Sequence, residues 1–451
     1  SASNGKFNNA NADTNKPVSA DVSLSGTDKA NYQLTSNSAS TTATINQARL
    51  DIYATSDTKT YDGGTSSDKT PTLGANQVQG TDTVDGLSQA FASKNVLGAG
   101  QSELDVTGHL IHDGNSGGNY DVHTHTATGT IITRPITVTA VSDNKPYDTT
   151  TSSSKTPTVT TGSIATGDTG HFTESFATKT VGTNKTLIPA GSVVDGNSGG
   201  NYTVSFANDN TGVITPAGLT VTGITANNKV WNGSTAATLN TGAATLVGVL
   251  GTDNVTLSTA GATGTFASSA VGTWTVQISG LTTGGNDAGN YTLTQPTTTA
   301  SITAWNAAGK GFYAPVGADA AHSLFTPAPG PTPTNLPAGM VWNVAKGGQT
   351  IPLKFNIFAG TVEMTGTNAF PGSDLTKAFQ TAKLATCLDA AATDSVDYTT
   401  TTGQTTLRYD TTGMQWITNW ATPKVSQTTC YRTWVNFADG STLEAFFQLT
   451  K

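Results

Sequence analysis

The feature of this sequence that most constrains its fold is an internal repeat. An Asn-Tyr pair recurs four times, and its tyrosines, Tyr32, Tyr120, Tyr202 and Tyr291, are 88, 82 and 89 residues apart. A period of this length is the size of one small β-domain, whereas a solenoid repeats every 20 to 45 residues or so. The chain of 451 residues is therefore expected to be a tandem array of small modules.

Two further markers keep the same period and the same order. The sequence Lys-x-Tyr-Asp surrounds Tyr61 and Tyr147 and degenerates to Lys-x-Trp-Asn around Trp231, so these aromatics are 86 and 84 residues apart. A Phe-Ala pair follows each of them, at Phe91, Phe176 and Phe266. One aromatic of each kind per module is what packing of a core and its corner requires. The structural markers of the repeat are Tyr32, Tyr61, Tyr120, Tyr147, Tyr202, Trp231 and Tyr291.

Each repeat opens and closes with alternating apolar residues. Leu50 and Ile52 alternate with other residues at the first opening, and Leu219 and Val221 do so at the third. Because successive side chains of a strand point to opposite faces, one face is buried and the threonines face water. Short strand-like runs lie between, separated by Gly, Asn, Asp and Pro. The pattern predicts an all-β chain of tandem immunoglobulin-like antiparallel sandwich modules in a rod.

Aligning the markers divides the chain into six segments. They are a partial repeat at 1–48, β-repeats at 49–134, 135–217 and 218–304, a Pro-rich linker at 305–338, and a C-terminal β-domain at 339–451. The junctions at 133–135 and 215–217 are short and contain proline, which fixes φ and restricts the residue before it. We therefore expect semi-rigid connections between repeats. The linker is expected to be a spacer or to lie along another surface, with Trp305 packing on adjacent modules.

The first 48 residues match the second half of a repeat. Phe7 precedes Asn15 by the interval that separates Phe176 from Asn184. A half sandwich exposes its core face and unpaired strand edges, which favours aggregation. Two explanations stay open: the segment belongs to a longer chain, or a neighbouring subunit provides the missing strands by strand complementation.

The sequence resembles known repeat families at two places. The markers Tyr61-Asp62-Gly63 and Gly289-Asn290-Tyr291, in this order, resemble the YDG/MBG-type repeats of large bacterial surface and secreted proteins. That resemblance implies adhesin-like or matrix stalks and brings no catalytic residues. Residues 348–355, Gly-Gln-Thr-Ile-Pro-Leu-Lys-Phe, resemble the PxKF-type C-terminal module of secreted bacterial proteins. This second resemblance implies a terminal sandwich-like module.

Both cysteines of the chain, Cys387 and Cys430, lie in the C-terminal domain. Two cysteines in an otherwise cysteine-free chain of low charge suggest one disulfide and an oxidising, extracytoplasmic setting. Two free thiols are the alternative.

Composition and motifs exclude several functions. The chain has 22 Lys+Arg against 30 Asp+Glu and no basic cluster, so nucleic-acid binding is not expected. No run of 18 apolar residues exists, so no membrane-spanning helix is expected. The loops around Ser116 and Ser198 spell Gly-x-Ser-x-Gly, but a strand-like run follows each serine where a hydrolase elbow needs a helix. We expect no enzyme activity and no cofactor, with calcium as one candidate ligand.

Two groups of residues are candidate metal sites. Four of the six histidines are close in sequence and form a candidate zinc or copper site: His109, His112, His123 and His125. Two loops share Asp-Gly-Asn-Ser-Gly-Gly-Asn and offer oxygen ligands for calcium: Asp113, Asn115, Asp195 and Asn197. The alternatives are a solvated surface patch for the histidines and tight turns for the loops, since turns select Asp, Asn and Gly.

These observations together predict an extracellular bacterial structural protein of the cell surface, either a filament subunit or an adhesin stalk. Its expected partners are copies of itself in a polymer, or a longer surface chain, with glycan or host-matrix contact as a further candidate. The alternative function is a glycan- or ice-binding surface module. Regular Thr-x-Thr ladders would be its sign, and 137–139 and 220–222 mark only the opening strands of two repeats.

Overall fold

The computed structural model describes residues 1–306, 311–316, 321–326, 337–385, 387, 393–395 and 405–451. The described residues form two compact units, Ser1–Thr215 and Pro216–Lys451. Nearly all regular elements are strands; the helical ones described are α1 (Leu375–Ala378) and the 3-10 turns Lys29–Asn31, Ala288–Asn290, Thr367–Ala369 and Pro371–Ser373. Within the described part of the chain, no helix has the length and apolarity needed to cross a membrane.

The first unit begins with a three-stranded antiparallel sheet, which we call the N-terminal sheet. Its strands are β1 (Ala2–Phe7), β2 (Asp13–Val22) and β3 (Ser38–Ile45). The order is β1-β2-β3, so β1 and β3 are the edges.

The first repeat is a sandwich of two sheets, β6-β4-β9 and β5-β10-β8-β7. Leu50 and Ile52 are both fully buried, as their alternation predicts. Its strands are β4 (Ala48–Tyr53), β5 (Thr58–Thr60), β6 (Thr72–Leu73), β7 (Thr83–Phe91), β8 (Ser102–His112), β9 (Tyr120–His125) and β10 (Ala127–Ile132).

The second repeat has the same topology, with sheets β13-β11-β16 and β12-β17-β15-β14. Its strands are β11 (Arg134–Thr139), β12 (Asn144–Pro146), β13 (Thr158–Thr161), β14 (Thr169–Phe176), β15 (Gly182–Val194), β16 (Tyr202–Ala207) and β17 (Asp209–Thr215). The prediction of all-β, immunoglobulin-like sandwich modules is confirmed.

The opening of each repeat contributes one strand to each sheet, and both of these strands pair in parallel. In the first repeat β4 pairs in parallel with β9, and β5 pairs in parallel with β10. The other pairings, such as β7 with β8 and β8 with β10, are antiparallel. Alternation of apolar residues cannot reveal these parallel pairs, because the side-chain period is the same in both arrangements.

The second unit contains the third repeat and the C-terminal module. The third repeat has the sheets β23-β18-β28 and β20-β29-β26-β25-β21, with the pairs β19-β22 and β24-β27. Its strands are β18 (Ala217–Thr222), β19 (Thr225–Ala226), β20 (Lys229–Val230), β21 (Ala236–Ala237), β22 (Leu239–Asn240), β23 (Thr245–Val247), β24 (Thr256–Ser258), β25 (Thr263–Phe266), β26 (Gly272–Ser279), β27 (Thr282–Gly284), β28 (Tyr291–Leu293) and β29 (Thr297–Thr303).

The C-terminal module packs a large sheet against a small one. The large sheet has the order β35-β39-β40-β31-β36, with β30 also paired to β40, and the small one is β32-β38-β37. Its strands are β30 (Ser323–Thr326), β31 (Trp342–Lys346), β32 (Thr350–Phe355), β33 (Phe358–Ala359), β34 (Val362–Glu363), β35 (Phe379–Lys383), β36 (Thr393–Ser395), β37 (Thr405–Asp410), β38 (Gln415–Ala421), β39 (Thr429–Asn436) and β40 (Thr442–Thr450).

Of the two expectations for the Pro-rich segment 305–338, its described residues fit the second, because they lie along the C-terminal module. Trp305, Phe312 and Val316 are buried in one hydrophobic cluster with side chains of β32 and β40. Strand β30 also pairs antiparallel with β40. Burying such a side chain stabilises the module by about 1.5–3 kcal/mol, and the same side chain exposed on a free linker would contribute no such stabilisation. The prolines between 327 and 336 lie outside the described residues.

Candidate assembly site

The first and second repeats are joined with a single residue, Thr133, between their strands β10 and β11. Apolar side chains of both repeats form one buried cluster across this junction. Its members from the first repeat are Tyr61, Phe91, Leu104 and Ile131, and those from the second are Ile136, Val138, Ala165, Val193 and Tyr202. The two repeats therefore share a core at the junction and do not rely on Thr133 alone for their relative placement.

At the centre of this junction two marker tyrosines share one carboxylate. Both hydroxyls, of Tyr61 and Tyr202, donate to Oδ2 of Asp168 at 2.8 Å. Lys94 Nζ lies 3.3 Å from Asp168 Oδ1, whose side chain is 1% exposed, and 5.8 Å from the Tyr61 ring centroid. Burial and the Asp168 carboxylate raise the pKa of Tyr202 to about 12. Both tyrosines thus stay neutral donors at any physiological pH.

The glycine of Tyr61-Asp62-Gly63 allows the loop to approach the second repeat. Gly63 has φ +87°, and a Cβ there would lie 3.2 Å from Thr166 O and 3.3 Å from Ala165 Cβ. The same position has φ +72° at Gly233 in the third repeat and φ +70° at Thr149 in the second. Only glycine adopts this left-handed region without strain, so Thr149 is strained.

The lysine of the Lys-x-Tyr-Asp sequence covers the phenylalanine of the Phe-Ala marker. In the three repeats, the lysine Nζ lies 5.6, 5.5 and 5.2 Å from the ring centroid in the pairs Lys59–Phe91, Lys145–Phe176 and Lys229–Phe266. These are cation–π distances. The two sequence markers are therefore parts of one contact, which sequence periodicity alone does not reveal.

The N-terminal sheet contacts the first repeat as the first repeat contacts the second. Ala12 N donates to Asn119 Oδ1 at 2.8 Å, and the equivalent Val96 N donates to Asn201 Oδ1 at 2.9 Å. Its register also matches, since Asp13 pairs with Ile45 as Gly182 pairs with Ile214, each next to an irregularity. The predicted half repeat thus has the structure of the closing half.

Two markers of the N-terminal sheet are exposed where their equivalents are buried. Tyr32 is 71% exposed, against 4%, 6% and 8% for Tyr120, Tyr202 and Tyr291. Phe7 is 39% exposed, against 2% for each equivalent phenylalanine. The prediction of a buried structural role is therefore wrong for Tyr32, because no opening segment covers this sheet within the described residues.

The two loops predicted to bind calcium are closed turns. Asp195 Oδ1 accepts hydrogen bonds from the backbone N of Asn197 and Gly199 at 2.7 and 2.8 Å, and its Oδ2 accepts one from Asn201 N at 2.9 Å. Asp113 accepts the same three bonds in the first repeat. Burial raises the pKa of both carboxyls, but the backbone N–H donors lower it more, so that the pKa of each lies below its ordinary value.

The amides of the same loops are also turned inward. Asn115 Nδ2 and Asn197 Nδ2 each donate at 2.9 Å to the asparagine four residues later. Because the carboxylate oxygens accept backbone donors of the same loop, the residues form an Asx-type turn. The loops therefore have the geometry of the tight-turn alternative, and calcium binding stays a prediction.

The four clustered histidines do not converge on one point. His109 and His112 line an open cleft of about 670 Å³. Three of the imidazoles lie beside different carboxylates, in the pairs His112–Asp85, His123–Asp121 and His125–Asp51 at 3.0, 3.0 and 2.8 Å. In the described ranges, no group of three or more His, Cys, Asp or Glu side chains is placed to hold a metal ion.

Comparison with known families decides the relationship of the repeats. The YDG domain family matches residues 46–128, 132–211 and 215–300, more than half of the chain. The chain belongs to the YDG domain family. No curated protein matches the sequence. The three matched YDG domains correspond to the three complete repeats of the structure.

Several solved structures are similar to parts of the chain at low identity and low TM-score. A chimeric titin Z1Z2-Z1Z2 tandem is 11% identical, covering 40% of this chain and 64% of that one, at a TM-score of 0.14. The titin I-band fragment I67–I69 is 6% identical, covering 70% and 96%, at 0.17. Domains 4–9 of surface layer protein SbsC are 11% identical, covering 97% and 69%, at 0.17. At these TM-scores the likeness carries no argument about fold or function.

The degenerate marker of the third YDG repeat has a different neighbour. Trp231 meets Trp305 edge to face with ring centroids 5.2 Å apart, and Trp305 Nε1 donates to Trp231 O at 2.9 Å. Trp305 N in turn donates to Asp439 of the C-terminal module at 2.6 Å. The third repeat therefore contacts a module of another kind, and its tyrosine is replaced by a larger apolar ring.

The two cysteines form a disulfide within the C-terminal module. Cys387 and Cys430 have their Cα atoms 5.4 Å apart, and the described residues contain no free cysteine. Cys430 lies on β39 and packs in a cluster with Trp342 and Phe446. The bridge thus connects the large sheet of this module to the segment that follows β35.

Proposed function

We propose that this chain is an extracellular structural protein of a bacterial surface, acting as a filament subunit or as the stalk of an adhesin. The junction between the first two YDG repeats carries the proposal. There, one residue separates the terminal strands, and both modules contribute to one buried cluster. Such a junction resists bending, which a spacing element needs and an isolated binding domain does not.

The strand order within each repeat supports a role under mechanical tension. Tension along the chain enters at β4 and leaves at β10, and these two strands form the parallel pairs β4–β9 and β5–β10. Tension applied along these strands stretches several hydrogen bonds together. Resistance to forced unfolding depends on the unfolding rate, which such loading keeps low. The disulfide and the low charge of the chain favour an extracytoplasmic setting.

The N-terminal sheet supports polymerisation by strand complementation. Its edge strand β3 lies where the equivalent β10 and β17 each pair in parallel with an opening strand, β5 and β12. Exposed edges of this kind accept an additional strand from another chain. A subunit that donates such a strand to its neighbour would form a linear array.

Negative-stain electron microscopy of the purified chain tests the proposal. We expect fibres with a regular axial repeat, and their loss in Thr44→Pro. Thr44 is equivalent to Thr130 and Val213, whose backbone N donates to the opening segment at 2.9 and 3.0 Å. Proline removes this donor, while Thr44→Ser is the matched control. Extended single molecules would support the stalk instead, and collapsed, flexible particles would contradict both forms.

A further inference from the structure

We infer that Asn232 of the third repeat is a site of spontaneous covalent modification, at which the chain converts its own side-chain amide into a carboxylate. The reaction is deamidation through a cyclic imide, and water is its only reagent. Three observations carry the inference: the sequence Asn232-Gly233, two hydrogen-bond donors at Asn232 Oδ1, and a carboxylate at the same position of the other two repeats. It is independent of the proposed structural function.

Asn232 stands where the first two repeats have an aspartate. The equivalent residues are Asp62 and Asp148, each the last residue of a Lys-x-Tyr-Asp sequence. Their carboxylates lie 2.9 Å from the ammonium groups of Lys59 and Lys145, whose side chains are 15% and 13% exposed. The first two repeats thus pair a largely buried lysine with a carboxylate.

The lysine of the third repeat has neutral acceptors instead. The Lys229 ammonium donates to Asn232 Oδ1 at 3.1 Å and to the backbone oxygens of Ser234 and Ala236. Burial lowers the pKa of Lys229, because the loss of water disfavours the charged form. A carboxylate at position 232 would supply the opposite charge that the first two repeats contain.

The loop around Asn232 already has the shape that an aspartate needs. Asn232 Oδ1 accepts a hydrogen bond from Ser234 N at 3.1 Å. In the first repeat, Asp62 Oδ1 accepts the equivalent bond from Gly64 N at 2.9 Å. The two side chains differ only by an oxygen in place of a nitrogen, so the product fits the loop without a change of backbone.

Gly233 leaves the Asn232 amide open to attack by its own main chain. Imide formation requires the backbone nitrogen of the following residue to reach Asn232 Cγ, and a side chain on that residue hinders the approach. Gly233 has no side chain, and both residues are exposed to water. The hydrogen bond from Ser234 N also folds the Asn232 side chain back over this peptide group, which keeps the reacting atoms close together.

Each bond change in the reaction is balanced. Gly233 N loses its proton to hydroxide and bonds to Asn232 Cγ, while the carbonyl electrons move to Oδ1. The negative charge on Oδ1 faces the Lys229 ammonium and the Ser234 N–H, which act as an oxyanion site. The bond from Cγ to Nδ2 breaks, and ammonia leaves with a proton from water, which regenerates hydroxide. Water then adds at Cγ and breaks its bond to the backbone nitrogen, which restores the peptide and leaves an aspartate.

The other Asn-Gly pair of the chain is a matched control. Asn4-Gly5 lies on β1, and Asn4 Nδ2 donates to Asp21 Oδ2 at 3.1 Å. A carboxylate therefore faces this amide where an ammonium faces that of Asn232, and it disfavours negative charge on the neighbouring oxygen. Because the two sites share the dipeptide sequence, a difference in their rates reports the folded surroundings.

Peptide mapping of the full chain by mass spectrometry, over a time course in neutral buffer, tests the site. We expect Asn232 to convert about threefold or more faster than Asn4 in the folded chain, and the two rates to converge in denaturant. Lys229→Met keeps an unbranched side chain and removes the ammonium, so it should slow conversion of Asn232 by about threefold or more. An Asn232 rate equal to or below that of Asn4 in the folded parent chain would overturn the inference. So would an unchanged rate in a folded Lys229→Met chain.

Asn232→Asp tests the fit of the product. It should raise the unfolding temperature of the second unit by about 1–3 °C, because Lys229 gains a carboxylate. Asn4→Asp, which places a second carboxylate beside Asp21, should not raise that of the first unit. Addition of water at the main-chain carbonyl gives isoaspartate, which lengthens the main chain, so the share of aspartate at position 232 should be higher in the folded chain than in denaturant. A lower unfolding temperature for Asn232→Asp, or an equal share of aspartate in both states, would contradict a loop that fits the carboxylate.

Discussion

Tyr61 and Tyr202 meet edge to face across the junction of two YDG repeats, with ring centroids 5.5 Å apart and ring planes at 71°. Their hydroxyls donate to the same oxygen of Asp168. The tyrosine of one sequence marker and the tyrosine of another thus contact each other only when two repeats are adjacent. Tyr61 and Tyr202 are therefore junction residues as well as core residues.

The shared acceptor predicts coupling between the two tyrosines. Tyr61→Phe and Tyr202→Phe should each lower the free energy of unfolding of the first unit by about 1–2 kcal/mol, because a buried acceptor loses a donor. The loss of unfolding free energy in the double variant should differ measurably from the sum of the two single losses, since both hydroxyls bind one oxygen. Tyr61→Phe combined with Tyr120→Phe, whose acceptor is Asp82, is the additive control. Strict additivity of the first pair in denaturant titrations would contradict the coupling.

The capped aspartates predict a loss of stability in acid. The lowered pKa of Asp195 means that its stabilising effect is complete above the ordinary Asp pKa of about 3.9 and is lost as the pH falls through the lowered value. Asp195→Asn should cost about 1–3 kcal/mol at pH 7. The difference in stability between Asp195→Asn and the parent chain should shrink below about pH 4. Thermal unfolding at a series of pH values measures this difference. Asp28→Asn, in an exposed turn, is the control, and a pH-independent difference for Asp195→Asn would count against this account.

The strained Thr149 predicts a stabilising substitution. Thr149→Gly removes about 1–2 kcal/mol of left-handed strain and adds about 0.5–1 kcal/mol of unfolded-chain entropy, so the net gain in stability should be between about 0 and 1.5 kcal/mol. The matched variant Gly63→Thr should be destabilising, since its Cβ would lie 3.2 Å from Thr166 O. Calorimetry of both variants checks the signs. A lower unfolding temperature for Thr149→Gly would show that Thr149 makes compensating contacts.

The disulfide predicts a redox effect confined to the second unit. Its loop spans 43 residues of sequence separation, for which the loop-entropy relation gives about 4 kcal/mol, with about 2–4 kcal/mol usual. Adding reductant should lower the free energy of unfolding of the second unit by this amount. The double variant Cys387→Ser with Cys430→Ser should have the same effect. The transition of the first unit should not move, and the double variant should no longer respond to reductant. A shift of both transitions in calorimetry would contradict this assignment.

Several features followed from sequence because they depend on local patterns. The buried Leu50 and Ile52 follow from period-two alternation, and the phases of Tyr120 and Tyr202 from the repeat. The family relationship rests on the same short markers, which the YDG match confirms. The disulfide required only that two cysteines occur in one domain.

The features that the sequence left open depend on how side chains are placed in space. Trp305 was expected to pack on an adjacent module, but the sequence did not show that Trp305 and Phe312 would lie in the core of the C-terminal module. The Asp113 and Asp195 loops had the composition of calcium ligands, but their oxygens accept backbone N–H groups of the same loop. Tyr32 has the sequence phase of a buried residue and is exposed.

The sequence by itself determined the module size, the strand faces and the membership in the YDG family, because periodicity and burial alternation are properties of consecutive residues. Only the tertiary structure decided that Lys59 covers Phe91, that Tyr61 and Tyr202 share Asp168, and that a cavity stands beside Tyr120 where the next junction holds a tyrosine. Those relationships join residues dozens of positions apart, so they exist only once strand pairing and module packing have brought the residues together.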